Sequence, residues 1–178
     1  VQHAVMGMRG PIDSLKQALH ATEFLGYETT EADAVVKGII AGEPPHDHLC
    51  DKMEEVGHKN QVRIVLDRTP FYGESGGQVG DQGEPIWRSE GHSEVASGTG
   101  RFKVLATHKS EGFVVQEGEI DPAGGVALRL GQQVEARAEA GRRSHVRRNH
   151  TAAHLLHRVL KDVLGEHVRQ QGSLVAPD

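Results

Sequence analysis

Short alternations of apolar and polar residues dominate the middle of the chain, from Val62 to Glu139. The alternating runs are rich in β-branched residues and are separated by Gly, Pro or Asp; they read VRIVLDRTPFY, RFKVLATHKS, GFVVQEGEI and GVALRLGQQVEARAE. A period of two places every second side chain on the same face of a strand. Several short strands at this spacing are typical of small antiparallel barrels. We therefore predict a β-barrel over residues 59–141.

Upstream of the barrel, residues 1–58 are predicted to form a short α/β segment and a polar linker. Pro11 suits the first turn of a helix, and apolar residues follow it at approximately helical spacing. The stretch TTEADAVVKGII fits either a helix with Thr30 as its N-cap or a strand, and its paired Val and Ile residues favour the strand. The linker that follows is polar and contains a Pro-Pro pair.

Downstream of Gly141 the apolar residues recur with the period of a helix. The stripe consists of Ala152, Leu155, Leu156, Val159, Leu160 and Val163. Asn149 or Thr151 can cap the start of this helix, and Gly165 can end it. Residues 142–178 are therefore predicted to begin an α/β domain. The predicted fold class is α+β: a small antiparallel barrel followed by the start of an α/β domain, with a short N-terminal α/β segment.

The composition narrows the class of protein. The 178-residue chain carries a formal net charge of −5, which argues against a strongly basic nucleic-acid binder. A local basic patch nevertheless exists, made of Arg142, Arg143, Arg147 and Arg148, and it is either a phosphate contact or a solvated approach to the helix. The single cysteine, Cys50, excludes an internal disulfide and fits a reducing compartment. No apolar run reaches the about 20 residues that span a bilayer, so we expect a cytoplasmic protein.

The stretch FYGESGGQVGDQG, Phe71 to Gly83, contains five glycines. Glycine lets the backbone approach a ligand closely, and free amide groups in such a loop can bind an anion or a carbonyl oxygen. The alternative is a tight barrel connection in which glycine is needed for steric reasons. The stretch is neither a P-loop, because the terminal Lys-Ser/Thr is missing, nor a dinucleotide fingerprint, because no helical pattern follows it.

The stretch RRNHTAAHLLHRVL places His150, His154 and His157 at helical spacings of four and three. Residues four apart lie about 6 Å apart on the same helix face, so His150 and His154 can bind one Zn²⁺ at about 2.0–2.1 Å. The metalloprotease signature is excluded because Thr151, and not Glu, follows the first histidine. A zinc site needs three or four ligands, so the alternative is a pair of polar surface residues.

Together these motifs resemble one family. LDRTPFYGESGGQVGDQG followed by RRNHTAAHLLHRVLKDVLGEHVRQQGSLVAPD is similar to the editing region of alanyl-tRNA synthetases, and ATEFLGYETTEADAVVKGI resembles the segment that introduces it. The resemblance covers about residues 22–178. It implies a barrel followed by an α/β domain that threonyl-tRNA synthetases and free-standing alanyl-tRNA editing proteins share.

The family resemblance also implies an activity and a cofactor. Editing domains of this family hydrolyse the ester of wrongly charged tRNA(Ala), chiefly seryl- and glycyl-tRNA, and their parent enzymes bind ATP and serve protein biosynthesis. A zinc ion is expected on His150 and His154, with a Cys and a His from a CxxxH motif that would follow Asp178. We expect the chain to be part of a longer protein and to bind zinc poorly by itself.

By position, the resemblance assigns roles to further residues. Gln170 matches the glutamine of the editing pocket and is the expected catalytic residue. The expected substrate-binding residues are Thr69, Phe71, Gly76, Gly77, Gln78, Arg147 and Arg148, with the arginines contacting the acceptor end of tRNA(Ala). Two other interpretations stay open: a free-standing alanyl-tRNA deacylase, and a tRNA-binding module without turnover. The sequence does not determine the oligomeric state.

Overall fold

A computed structural model describes residues 10–44, 46–53, 62–89, 98–121, 126–169 and 172–177. Within these ranges the chain forms two helices and eleven strands. The elements are α1 (Pro11–Ala18), β1 (Glu23–Phe24), β2 (Glu31–Ala41), β3 (His48–Leu49), β4 (Lys52–Met53), β5 (Val62–Leu66), β6 (Arg68–Thr69), β7 (Gly83–Ser89), β8 (Gly98–Ser110), β9 (Phe113–Ile120), β10 (Leu128–Arg129), β11 (Gln133–Ala138) and α2 (Ala140–Leu164).

Six of the strands close into an antiparallel barrel. Neighbouring strands pair in the order β11, β7, β8, β9, β5 and β2, and β2 pairs back with β11, where Gln133 lies opposite Val35. Closure satisfies the backbone groups that an open sheet would leave at its two edges. The predicted small antiparallel barrel and the α+β class are confirmed.

Strand β2 belongs to this barrel although it precedes residue 59, where the alternating pattern begins. The predicted strand over this stretch is confirmed, and its side chains Val36, Ile39 and Ile40 are fully buried. Because β2 joins β5 to β11, the barrel closes only through it. A polar linker lies between β2 and β5 in the sequence, although the two strands pair directly in the barrel.

Two apolar clusters hold the barrel together. The interior is filled by the largest buried side chains, among them Phe71, Trp87 and Phe102. Outside the barrel, helix α1 packs Leu15 over Gly38, where an added Cβ would lie 2.7 Å from the leucine Cδ1. Burying a leucine side chain contributes about 1.5–3 kcal/mol, so a two-turn helix stays attached through a few such contacts. The helix predicted after Pro11 is confirmed and ends at Ala18, before extended backbone at Leu19.

Helix α2 starts earlier than the sequence pattern predicted. Its N-cap is Glu139, and both proposed capping residues lie inside the helix, so that prediction is wrong. Thr151 donates to the carbonyl oxygen of Arg147 at 3.1 Å, which is a bond within the helix. Asn149 donates to the carbonyl oxygen of Ala176 at 2.8 Å. The predicted end at Gly165 is confirmed, with φ of 106° at that residue.

The apolar stripe of α2 is exposed to solvent in the described part of the chain. Leu155, Leu156 and Val163 are 62%, 60% and 73% exposed. The residues of α2 that are buried are Arg143 and Val146, in its first two turns. Helix α2 therefore packs against the rest of the described chain by its amino-terminal half. Neither α2 nor α1 is long and apolar enough to cross a membrane, as far as the described residues extend.

Candidate functional site

The glycine-rich loop and helix α2 meet at a buried ion pair. Arg143 donates to the carboxylate of Asp81, and the two side chains are 8% and 4% exposed. The same guanidinium donates to the carbonyl oxygens of Gly26 and Thr29, at 3.2 and 3.3 Å. Asp81 also accepts from the amide of Tyr72 at 2.7 Å. One arginine therefore joins the N-terminal segment, the loop and the helix. The residues of the site lie on these three segments, so Arg143 helps to fix their relative positions.

The basic patch divides into two structural and two exposed arginines. Arg142 donates to the carbonyl oxygen of Gly80 at 2.8 Å, and Arg143 is buried in the ion pair. Arg147 and Arg148 are exposed on the next turn of the helix. Only these last two are available for a phosphate contact.

His150 and His154 come together as the spacing predicted. Their Nε2 atoms lie 2.8 Å apart, and the rings stack with centroids 4.7 Å apart. Gln78 Oε1 lies 2.6 Å from His150 Nδ1. Because a carboxamide oxygen only accepts hydrogen bonds, Nδ1 carries the ring proton, and the lone pair of His150 is on Nε2.

This donor pair fits one half of a zinc site. Two imidazoles that converge through Nε2 are ligands that Zn²⁺ prefers once the proton between the two Nε2 atoms is released, and a hydrogen bond to the opposite ring nitrogen is the usual support of such a ligand. The described residues contain no group of three or more His, Cys, Asp or Glu side chains arranged to hold a metal. Two further donors would therefore have to come from outside these ranges.

Cys50, the single cysteine of the chain, is not placed to act as a further zinc ligand. Its thiol points at the carbonyl oxygen of Ile39, 3.6 Å away, and packs against the barrel core. Burial, followed by the neighbouring Asp51 carboxylate, raises the pKa of the Cys50 thiol above its ordinary value. The residue is held as a neutral thiol, which disfavours metal binding because the thiolate is the ligand.

Two clefts flank His150. The first, of about 360 Å³, is lined by Phe24, Gly26, Tyr27, Tyr72, Gln78, Arg143, Arg147, His150 and Thr151. The second, of about 370 Å³, is lined by Gly76, Gly77, His150, Ala153, His154, Gly172, Ser173 and Val175. We call them the aromatic cleft and the glycine cleft. His150 is common to both, so a molecule that occupied the two clefts would pass directly over the histidine pair.

The glycines of the loop accommodate the protein's own backbone. An added Cβ at Gly77, where φ is 81°, would lie 2.2 Å from the carbonyl oxygen of Ser173, and one at Gly80 would lie 2.0 Å from that of Thr107. The amides of Glu74, Ser75, Gln78, Val79 and Asp81 donate to carbonyl oxygens of the chain. The steric interpretation of the glycines therefore holds at these positions, and those five amides are engaged.

The C-terminal segment, residues 172–177, forms one wall of the glycine cleft. Val175 donates to the carbonyl oxygen of Gly77 at 2.7 Å and accepts from the amide of Val79 at 3.1 Å. Asn149 of α2 bonds the same segment at Ala176. Residues 172–177 therefore lie between the loop and the helix.

The remaining predicted site residues are distributed as follows. Gln78, Arg147, Gly76 and Gly77 line the clefts, while Arg148 lines neither. Thr69 and Phe71 are fully buried, and the Thr69 hydroxyl accepts from Phe71 N and from Gln116 Nε2, each at 3.2 Å. Gln170 lies outside the described residues.

Comparison with known proteins identifies the family of the chain. A family model described as "tRNA synthetases class II (A)" matches residues 3–142. The chain belongs to this family. It is similar to alanine–tRNA ligases: 43% identical to that of Thermus thermophilus over 89% of the chain, 37% to that of Rhodopirellula baltica over 98%, and 44% to that of Nitrobacter winogradskyi over 92%. The resemblance to alanyl-tRNA synthetases is thereby confirmed.

The matches cover a small part of each relative. The aligned region is 16% of the Thermus and Nitrobacter proteins and 17% of the Rhodopirellula protein. The chain thus spans about a sixth of the length of these class II synthetases. The residues of the site described above lie within that part.

Proposed function

We propose that this chain is the part of an alanine–tRNA ligase that begins its editing site, and that the site hydrolyses the ester of wrongly charged tRNA(Ala), chiefly seryl- and glycyl-tRNA. The observation that carries the proposal is the convergence of His150 Nε2 and His154 Nε2 at 2.8 Å, beside two clefts that could hold an ester. The similarity to alanine–tRNA ligases supports tRNA as the partner.

In the hydrolysis, water adds to the ester carbonyl carbon, the bond to the ribose oxygen breaks, and that oxygen leaves with a proton. A zinc ion on His150 and His154 would supply Lewis acidity and orientation for the amino group or the water. Gln78 holds the proton on His150 Nδ1 and so keeps Nε2 free to accept. The loop at Gly76 and Gly77 lies beside the histidines, and each backbone donor to a developing oxyanion is worth about 3 kcal/mol.

Selection of serine over alanine requires a hydrogen-bond partner for one hydroxyl group. An apolar synthetic pocket cannot reject serine strongly, whereas a second site that bonds the hydroxyl can select it. Thr69 and Gln170 are the two expected site residues with a side chain suited to bond this hydroxyl. The Thr69 hydroxyl already takes part in two hydrogen bonds inside the barrel, so Gln170 is the partner we propose.

The first experiment measures deacylation of Ser-tRNA(Ala) and zinc content together. The chain is tested alone and extended through the CxxxH motif that the family resemblance implies. His150→Ala and His154→Ala are expected to abolish zinc retention and to slow hydrolysis by the extended form at least 100-fold. His145→Ala, an exposed histidine of the same helix, is the matched control. Equal rates and equal zinc content in all three variants would reject the assignment.

A second candidate function is a tRNA-binding module without turnover. The observation that favours it is that the described residues supply two metal ligands and no third. It predicts that even the extended form binds tRNA(Ala) with wild-type affinity while Ser-tRNA(Ala) is hydrolysed no faster than in buffer.

A further inference from the structure

A groove crosses the outer wall of the barrel and shares no lining residue with the two clefts beside His150. Its volume of about 720 Å³ is larger than that of either cleft. The groove lies over strands β2, β11, β7 and β8, and its polar lining includes Asp33, Glu135, Arg137, Arg88, Thr99 and Arg101. We call it the wall groove. Any ligand that it holds contacts residues outside the histidine site.

Most of the arginines in the wall groove are neutralised by neighbouring carboxylates. Arg137 donates from Nε and Nη2 to Glu135 Oε1, at 2.9 and 2.7 Å. Arg68 Nε lies 3.4 Å from Asp67 Oδ2. Arg88 differs, because it is exposed and has no hydrogen bond and no carboxylate partner within the described ranges. Its guanidinium is therefore free to bind an external anion.

Arg88 lies next to a second arginine and a hydroxyl group. Across β7 and β8, Arg88 is opposite Thr99, and Ile86 is opposite Arg101. Diagonal neighbours on one face of a sheet are about 7–8 Å apart, which is within reach of long side chains. Arg101 Nη1 lies 3.6 Å from Glu84 Oε2, and these side chains are 52% and 40% exposed, so this pair contributes little and can rearrange. Two guanidinium groups and one hydroxyl can thus converge on one anion.

The acidic side of the wall groove lies apart from these residues. Asp33 is opposite Glu135 on β11, and Glu135 is opposite Ile86 on β7. Neighbouring strands are about 4.7–4.9 Å apart, so Asp33 lies about 10 Å from β7. Glu135 is engaged with Arg137. The wall groove is therefore basic over β7 and β8 and acidic over β2.

The basic side matches the chemistry of a phosphate that belongs to a polyanion. A guanidinium presents its donors in a planar fork that fits phosphate oxygens, and a hydroxyl adds a further donor. Arg88, Thr99 and Arg101 are all exposed, so an isolated ion would stay hydrated there, whereas a polyanion gains from the release of its counterions. Lys103 is the next outward residue of β8, about 6.7 Å along the strand. It is exposed and forms no ion pair within the described ranges, although Glu119 lies opposite it on β9.

We propose that Arg88, Thr99 and Arg101 bind a backbone phosphate of an RNA. Strand β7 begins at Gly83, which pairs with Ala138 directly before α2. Arg88 is five residues further along β7, about 17 Å away. An RNA whose 3′ end reached the histidine pair would therefore contact the wall groove through a phosphate several nucleotides away from that end. The identity of the RNA as tRNA(Ala) rests on the proposed function; the phosphate site does not.

The test is binding of a blunt-ended RNA hairpin, which has no single-stranded 3′ end to enter the histidine site. The hairpin carries a fluorophore, and its anisotropy is measured with the 178-residue chain from about 50 to 200 mM salt. Arg88→Gln is expected to weaken binding and to reduce the salt slope by about one, so the advantage of wild type shrinks about fourfold over this range. Arg88→Lys keeps the charge and should keep the slope of wild type.

Arg129→Gln is the matched control. Arg129 is an exposed arginine of strand β10 that does not line the wall groove. Its replacement should leave both the affinity and the salt slope unchanged. Inorganic phosphate, compared with chloride at equal ionic strength, tests the other source of the anion and should displace no more hairpin than chloride does.

Four results would overturn the proposal. They are no measurable binding of the hairpin, an unchanged salt slope in Arg88→Gln, an equal loss in Arg129→Gln, and displacement of the hairpin by inorganic phosphate in wild type but not in Arg88→Gln. The last result would assign the site to a free anion. His150→Ala should bind the hairpin as wild type does, so failure of the proposed hydrolysis and failure of this phosphate site are distinguishable.

Discussion

Replacing Arg143 by Met tests the contact that positions helix α2. The guanidinium of Arg143 bonds the Asp81 carboxylate and the carbonyl oxygens of Gly26, Thr29 and Pro70. Methionine has a similar length and no donor. The substitution leaves a buried carboxylate without its cation and three carbonyl oxygens without this donor.

The expected decrease in the free energy of unfolding is large for a protein of this size. Removing one partner of a buried ion pair costs about 3–5 kcal/mol, against a total of about 5–15 kcal/mol for a typical domain. With about 2–4 °C per kcal/mol for 150–250 residues, the melting temperature should fall by about 6–20 °C. Trp87, the single tryptophan, is 2% exposed in the barrel core and reports urea unfolding by its fluorescence.

Two variants make the experiment decisive. Arg148→Met removes an exposed arginine of the same helix and should stay within about 0.5 kcal/mol of wild type. The pair Arg143→Met with Asp81→Leu buries no unpaired charge and should regain part of the loss. A change below about 0.5 kcal/mol in Arg143→Met, or a double variant no more stable than the single one, would refute the reasoning.

Two further predictions concern the glycine-rich loop. Gly77→Ala places a Cβ 2.2 Å from the Ser173 carbonyl oxygen at a φ of 81°, whereas Gly76→Ala at a φ of 60° meets open space. Gly76→Ala should cost about 1 kcal/mol in urea unfolding and Gly77→Ala at least twice that; equal losses would show that the contact with Ser173 is unimportant. Gln78→Ala removes the acceptor at His150 Nδ1 and should lower the zinc affinity of the form extended through the CxxxH motif about 10–100-fold in chelator competition, and an unchanged affinity would contradict the role given to Gln78.

The strands were predictable because their signal is local. Val62–Leu66 and Phe113–Ile120 alternate or run apolar over a few residues, and an aspartate directly follows each run. The closure of the barrel was not predictable in the same way. Strand β2 pairs with β11, about a hundred residues away along the chain, and no local period contains that information.

The site was predictable only in part. The i, i+4 spacing brings His150 and His154 together because helix geometry alone fixes their separation. The partnership of Gln78 with His150 spans 72 residues of sequence, and that of Asp81 with Arg143 spans 62. These contacts depend on how α2 docks on the loop, which is tertiary information.

Apolar periodicity does not identify the face by which helix α2 packs against the described part of the chain. Its apolar stripe suggests docking through residues such as Leu156, yet the face that meets the barrel carries Arg143, Val146, His150 and His154, at spacings of three, four and four. An arginine can anchor a helix when a buried carboxylate and several carbonyl oxygens satisfy its donors. The anchor lies two turns before His150 on the same face, so the ion pair that stabilises the docking also sets the position of both imidazoles. The docking of α2 and the position of both histidines therefore depend on the ion pair between Arg143 and Asp81. The residues of the apolar stripe are not part of this contact.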